Sequence, residues 1–462
     1  MASMIRGLDR DLFAAPRPPD GWAAEVVGAA SEARLPDGSE RRFVNLDNAA
    51  TTPALTAVQQ AILDYLPWYS SVHRGAGVKS RLSTAAFEDA RVTVGSFLGI
   101  DEDSQEVIFV KSATEGLNKV AHGLAGTGAT VFTTLMEHHA NLLPWRLHAS
   151  SVRYIRTDDD GVVDEDDVAR QLRAAPAGPK LVAVAGAYNV TGYSPPIHRL
   201  AALAHECGAE ILIDGAQLVP HRPVDMRGRA PGEEIDYLVF SAHKAYAPFG
   251  VGVLVAPRRS FHGAPDQVGG GAAARVTPDG IAWAGLPDRE EAGSPNVVGA
   301  VALAAAVRRL GELGHAAVAS YEEELAAYAA GRLARVPGLT LLGPRDQDKR
   351  IAVLTFVLDG VPHDLVAAIL GYEHGIGVRA GLFCAHQGVQ RLLRAVAPAS
   401  REVGAPSGAV RASIGLYNTP DEIDALAEAL ESIASGGGGY RYARDHSGDY
   451  CPVGWPREDA TS

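Results

Sequence analysis

Ile235-Asp236-Tyr237-Leu238-Val239-Phe240-Ser241-Ala242-His243-Lys244 decides the fold: an apolar run of strand length ends in a hydroxyl, an imidazole and an amine. Ala245-Tyr246-Ala247-Pro248-Phe249-Gly250 follows, so turn residues close the run. A short aliphatic run bounded in this way reads as a buried strand. A lysine at its end is placed for chemistry. Low dielectric and nearby charge lower its pKa, and the neutral amine can form a Schiff base with a carbonyl cofactor.

Similar runs lie upstream and downstream, at Glu106-Val110, Thr130-Thr134, Leu181-Ala185, Glu210-Ile213 and Val251-Val255, with helical patterns between them. That alternation predicts an α/β fold with an open, mostly parallel sheet flanked by helices. After Pro295-Asn296 the pattern changes. Helices are predicted over Val297–Leu313 and Ala317–Arg335, strands over Leu339–Leu342 and Ile351–Leu358, and a last helix over Asp421–Ile433 behind Thr419-Pro420. The expected organisation is an extension (1–42), a large domain (43–296), a smaller C-terminal α+β domain (297–435) and a polar tail (436–462).

Ligands of open α/β sheets bind beyond the carboxyl ends of the strands. Glu106-Val110 runs into Lys111-Ser112-Ala113-Thr114-Glu115-Gly116, which opens a helix whose free N–H groups suit a phosphate, or is capped by the serine and nothing more. Thr130-Thr134 leads to Met136-Glu137-His138-His139-Ala140-Asn141. A histidine face there can stack on an aromatic ring. The alternative is a hydrogen-bonded loop, and adjacent histidines point apart, which disfavours a shared metal ion. Asn189 follows Leu181-Ala185, and Asp214-Gly215-Ala216-Gln217 follows Glu210-Ile213.

Asp214 and Lys244 stand about one strand-helix-strand unit apart, so their strand ends are expected side by side. A buried carboxylate needs a cation, and a protonated pyridine nitrogen is one. Acid and lysine bracketing one ring point to pyridoxal 5'-phosphate. Alone, Asp214 would read rather as a helix cap or a magnesium ligand. Further on, Gly375 to His386 brings Arg379, suited to a carboxylate, and Cys384, a candidate nucleophile.

Composition excludes several classes. The 462 residues carry a net charge of -13, are 47% hydrophobic and 21% charged, and show no basic stripe, so neither nucleic acid nor an anionic membrane is an expected partner. Cys207, Cys384 and Cys451 are too few and scattered for a disulfide framework or a zinc site, and no metal is expected. No run has the length of a signal peptide or a membrane span, and a reducing, cytoplasmic setting is expected.

Taken in order, these residues resemble the aminotransferase class V superfamily of fold-type I pyridoxal phosphate enzymes, and within it the group II cysteine desulfurases and selenocysteine lyases. The matching stretches begin with Leu46-Asp47-Asn48-Ala49-Ala50-Thr51, Val72-His73-Arg74-Gly75, Ala113-Thr114-Glu115, Met136 to Asn141 with Pro144-Trp145, and Asn189-Val190-Thr191-Gly192. They continue with Asp214 to Gln217, Ser241 to Lys244, Gly293-Ser294-Pro295-Asn296, Val378-Arg379-Ala380-Gly381 with Cys384-Ala385, and Val410-Arg411-Ala412-Ser413 through Tyr417-Asn418-Thr419. The resemblance spans roughly residues 43 to 433 as one ordered series.

The resemblance implies that Lys244 forms the cofactor's Schiff base, Asp214 pairs with the pyridine nitrogen, Gln217 meets the ring oxygen and His138 stacks on the ring. Ala113, Thr114, Ser241 and His243 would hold the phosphate, joined by Ser294 from a partner subunit, which implies a homodimer. Arg379 would bind the substrate carboxylate with help from Asn189, and His73 and Arg74 would line the mouth. Cys384 falls at the sulfur-accepting position, implying conversion of L-cysteine, or L-selenocysteine, to L-alanine with a Cys384 persulfide passed to an acceptor protein. Leu382-Phe383 departs from the polar approach usual before that cysteine. Other members of the superfamily run C–S or β-lyase, epimerase and aminotransferase chemistry on the same scaffold. A non-catalytic pyridoxal phosphate sensor is the reading from another class, and neither chain end looks like the basic helix-turn-helix such a sensor usually carries.

Overall fold

Alternate residues of the apolar runs face opposite ways, and this period of two lets one sheet bury both faces. In the computed structural model, which describes residues 15–17, 19–346, 349–396 and 407–455, Val107, Phe109, Ile211, Ile213, Leu238, Phe240, Val253 and Val255 fall in one core cluster. Ile108, Val110, Leu212, Val239 and Leu254 fall in another, on the other face. Each such side chain contributes about 1.5–3 kcal/mol by leaving water. Together they make every register but this one costly.

The sheet has seven strands in the order Gln105–Val110, Gly252–Pro257, Tyr237–Ser241, Glu210–Asp214, Lys180–Ala185, Thr130–Thr134 and Ser151–Ile155. Only Gly252–Pro257 runs antiparallel to its neighbours in this sheet. The predicted run from Ile235 enters the ladder at Tyr237, opposite Leu212, and leaves at Ser241. Ser151–Ile155 carries no continuous apolar run because it is a half-exposed edge strand.

The smaller domain holds a four-stranded antiparallel sheet in the order Leu339–Leu342, Val353–Leu358, Ala409–Ser413 and Arg379–Gly381. Helices His315–Leu333, His363–His374 and Pro420–Ala434 pack on it around their own core. Thr419 and Glu422 form a capping box at the start of the last helix. Val297–Leu313 buries its apolar face in the same core cluster as the sheet strands of the large domain. Val44 and Leu46 pack in the small core because Val44–Asn45 pairs with Ile376–Gly377.

The two extensions are docked where they are described. Trp22 meets Tyr321 edge-on with ring centroids 5.9 Å apart, and both carboxylate oxygens of Glu25 bond Arg309, at 2.6 and 2.9 Å. A hairpin of Tyr442–Arg444 with Tyr450–Pro452 sits on His363–His374 through Tyr442 Oη to Glu373 at 3.0 Å and Arg444 to Asp364 at 2.6 Å. Among the described residues no helix is long and apolar enough to cross a membrane.

Candidate active site

The carboxyl ends of the parallel strands converge on a cavity of about 340 Å³ whose wall includes His138, Asn189, Asp214, Lys244, Cys384 and Arg411. Ala113, Thr114, Gln217, Ser241, His243 and Arg379 line it too. The volume suits a small-molecule cleft, which spans roughly 300–1,000 Å³.

Asp214 is the last residue of its strand and 5% exposed. Burial pushes its carboxyl above the ordinary value, while Ala216 N, donating at 3.0 Å, and the charge of Lys244 pull it back. Lys244 ends the turn after Tyr237–Ser241. Desolvation lowers its amine to about 8, with Asp214 acting against that shift. The turn is pinned by segments distant in sequence: His243 O accepts from Thr51 Oγ1 and Thr52 N, both at 2.9 Å, and Tyr246 Oη accepts from Leu416 N at 2.9 Å.

The opposite wall is set by Glu137, whose carboxylate accepts from Thr134 Oγ1, Asn141 Nδ2 and Ala185 N at 2.8 to 2.9 Å. Burial raises it to about 8. The sequence reading assigned Glu137 no role, yet it ties the His138 loop to the strand beside Asp214. His138 Nδ1 accepts from Ala140 N at 3.1 Å, which fixes the ring, and burial followed by the Lys244 charge lowers it to about 4. The imidazole is therefore neutral, presenting a face suited to stacking.

Beside the lysine, the helix Ala113–Leu124 opens without a side-chain cap from Ser112, its N-terminus turned to the cavity that Ser112, Ala113 and Thr114 line. Ala113 N donates to Ser241 Oγ at 2.8 Å. Gly252 makes the close approach possible, since a Cβ there would lie 2.8 Å from Ser112 Cα. His243 stacks on Phe249, and its buried Nδ1 has no partner among the described residues; the same holds for Gln217 Oε1. An anion cradle, a buried carboxylate, a low-pKa lysine and two unpaired buried polar atoms fit a phosphorylated pyridine aldehyde.

The geometry redistributes one expectation. Arg379 and Arg411 are direct cross-strand partners, and Asp47 takes both, at 2.8 and 3.4 Å. Arg379, expected to bind the substrate carboxylate, is 51% exposed, whereas Arg411 is 4% exposed, with its Nε unpaired among the described residues. Asn189 O accepts from Arg411 Nη1 at 3.0 Å, so the buried arginine is tied to Asn189. Arg411 lay in a quoted stretch, but only strand register shows where it stands. Cys384 is exposed at the cavity wall, its carbonyl accepting from His139 N at 2.7 Å. His73, Arg74 and Ser294 do not line this cavity of their own chain; they share a second one with Glu291 and Tyr69.

The model of the family described as Aminotransferase class-V matches residues 44–426. The chain belongs to that family. It is 37% identical over 407 residues to a cysteine desulfurase of Haloferax volcanii, covering 86% of this chain and 90% of that one. To a probable cysteine desulfurase 2 of Mycobacterium leprae it is 36% identical over 396 residues, covering 82% and 89%. The apo structure of a cysteine desulfurase from Thermococcus onnurineus superposes with a TM-score of 0.80 at 30% identity, covering 92% of this chain and 100% of that one. The fold is thus that of the class-V pyridoxal phosphate enzymes, as the resemblance implied.

Proposed function

We propose that this class-V enzyme is a cysteine desulfurase that uses pyridoxal 5'-phosphate to convert L-cysteine to L-alanine, leaving the sulfur as a persulfide on Cys384. One observation carries the reading: Lys244, Asp214, Arg411 and Cys384 line a single cavity. The names of the relatives support it.

Lys244 would hold the cofactor's carbonyl carbon, Asp214 its ring nitrogen, His138 its face and Gln217 its ring hydroxyl. Ala113, Thr114, Ser241 and His243 would take the phosphate. When bound, the cofactor supplies an electron sink for charge developing at the substrate Cα. Arg411 and Asn189 hold the substrate carboxylate, Lys244 moves the Cα proton, and the thiolate of Cys384 attacks the substrate sulfur. An S–S bond forms, the C–S bond breaks with its electron pair left on carbon, and that carbon gains a proton to become the methyl of alanine.

The same reading makes the enzyme a homodimer. Leu63, Leu66, Trp68, Tyr69, Val78 and Leu82 form an exposed apolar surface beside the loop carrying His73 and Arg74, which with Ser294 would serve the partner's site. The exposure of Cys384 leaves its persulfide within reach of an acceptor protein, and three free cysteines agree with a cytoplasmic setting.

The deciding experiment is product identification after incubating the protein with L-cysteine and a reductant: alanine with sulfide supports the reading, and pyruvate with ammonia and sulfide replaces it with a β-lyase. Arg411→Ala is expected to raise KM for L-cysteine at least about tenfold, the worth of one charge-assisted bond, and Arg379→Ala by much less. Equal effects would return the carboxylate to Arg379. Reconstitution of apoprotein with pyridoxal phosphate is expected to accelerate with pH up to about 8 and level off above it. The protonated amine cannot attack a carbonyl, so the reactive fraction falls about tenfold per unit below that value. The rise of visible absorbance followed from about pH 6.5 to 9.5 checks this, and a flat profile contradicts it.

A further inference from the structure

Leu382-Phe383-Cys384-Ala385 closes a tight turn, with Ala385 N donating to Leu382 O at 2.9 Å. Both central residues are left-handed, with φ of 49° and 52°. Glycine, asparagine and aspartate adopt that conformation readily at the centre of a turn, and phenylalanine and cysteine do not. The turn therefore depends on contacts from outside it. Three are in place: the Phe383 ring lies 5.1 Å from Arg411 Cζ, Asn189 Nδ2 donates to Phe383 O at 2.8 Å, and His139 N donates to Cys384 O at 2.7 Å.

Two of these contacts come from Arg411 and Asn189, the pair at the carboxylate end of the cavity. We propose that Phe383 is the positioning residue for Cys384. Its ring lies beneath the Arg411 guanidinium, and its carbonyl is tied to the Asn189 amide. Phe383 thus transmits the fixed geometry of the carboxylate site to the next residue, the sulfur. A strained turn that presents a nucleophile is the device of the hydrolase elbow, built here from a strand end and an aromatic anchor. The inference rests on the reading of Cys384 as the sulfur acceptor.

The test uses holoenzyme with Phe383→Ala, Phe383→Gly and Phe383→Tyr. Misplacing a reacting group by about an ångström costs on the order of a hundredfold, so the Ala and Gly variants are expected to lose at least about tenfold in kcat while KM for L-cysteine stays within about threefold. Phe383→Tyr retains the ring and is expected to keep both constants. Glycine accepts a φ of 49° without strain, so a wild-type kcat in Phe383→Gly would show that backbone conformation suffices and overturn the proposal. Equal losses in the Tyr variant, or none in the Ala variant, would also overturn it.

A second readout needs no turnover: alkylation of Cys384 by iodoacetamide, followed by peptide mass spectrometry with Cys207 and Cys451 as internal references. It is expected to change at least about threefold in Phe383→Ala, as the sulfur leaves its place on the cavity wall, and to match wild type in Phe383→Tyr. An unchanged rate in Phe383→Ala sinks the positioning role. Absence of Cys384-dependent alanine from wild type would instead overturn the proposed function, while the alkylation comparison still decides the positioning.

Discussion

Lys244→Ala is expected to give a folded protein that lacks the visible absorbance of covalently held pyridoxal phosphate and turns over L-cysteine at least about a hundredfold more slowly. The effect is large because one amine serves two roles. It anchors the cofactor's carbonyl carbon, and once displaced by substrate it is the base nearest the reacting carbon. No described neighbour replaces it: burial, which the variant keeps, is the largest cause lowering His138 and His243, and Asp214 faces the ring nitrogen in this reading. Absorbance and borohydride reduction check the anchor, and product assay checks the base. A variant with an unchanged spectrum would remove Lys244 from the site and pyridoxal phosphate with it.

Much of this site could be read before the fold was known, for a physical reason. Asp214 and Lys244 each end an aliphatic run, and a charge at the end of a buried strand has few explanations beyond a ligand. Parallel pairing of Glu210–Asp214 with Tyr237–Ser241 then sets the two ends side by side, as their spacing suggested. The residues that escaped depend on geometry that no local pattern encodes. Arg379 and Arg411 are 32 positions apart and look alike in sequence; only the ladder that pairs them, and the depth of the second strand, tells the exposed one from the buried one. The edge strand Ser151–Ile155 escaped because its exposed side chains need not be apolar. Phe383 read simply as an apolar lead-in, since a left-handed φ at a residue that disfavours it is imposed by tertiary contacts.

Cys384→Ala is expected to abolish alanine formation from L-cysteine, by at least about a hundredfold, while leaving the bound-cofactor absorbance intact. Electron bookkeeping makes this the sharpest test of the reaction. Alanine keeps the electron pair of the broken C–S bond, so the sulfur must leave electron-poor, and a thiolate has to receive it. Cys384 is the one cysteine on the cavity wall; Cys207 ends the helix Ile197–Glu206, and Cys451 lies in the C-terminal hairpin. Without Cys384 the sulfur can depart only with the pair, as sulfide, and the carbon skeleton then becomes pyruvate with loss of ammonia. A switch from alanine to pyruvate in the variant, with Lys244 chemistry retained, is therefore the signature of a desulfurase whose acceptor has been removed. Alanine formed at the wild-type rate would mean that free thiol in solution serves as acceptor, and Cys384 would then be a bystander on a strained turn.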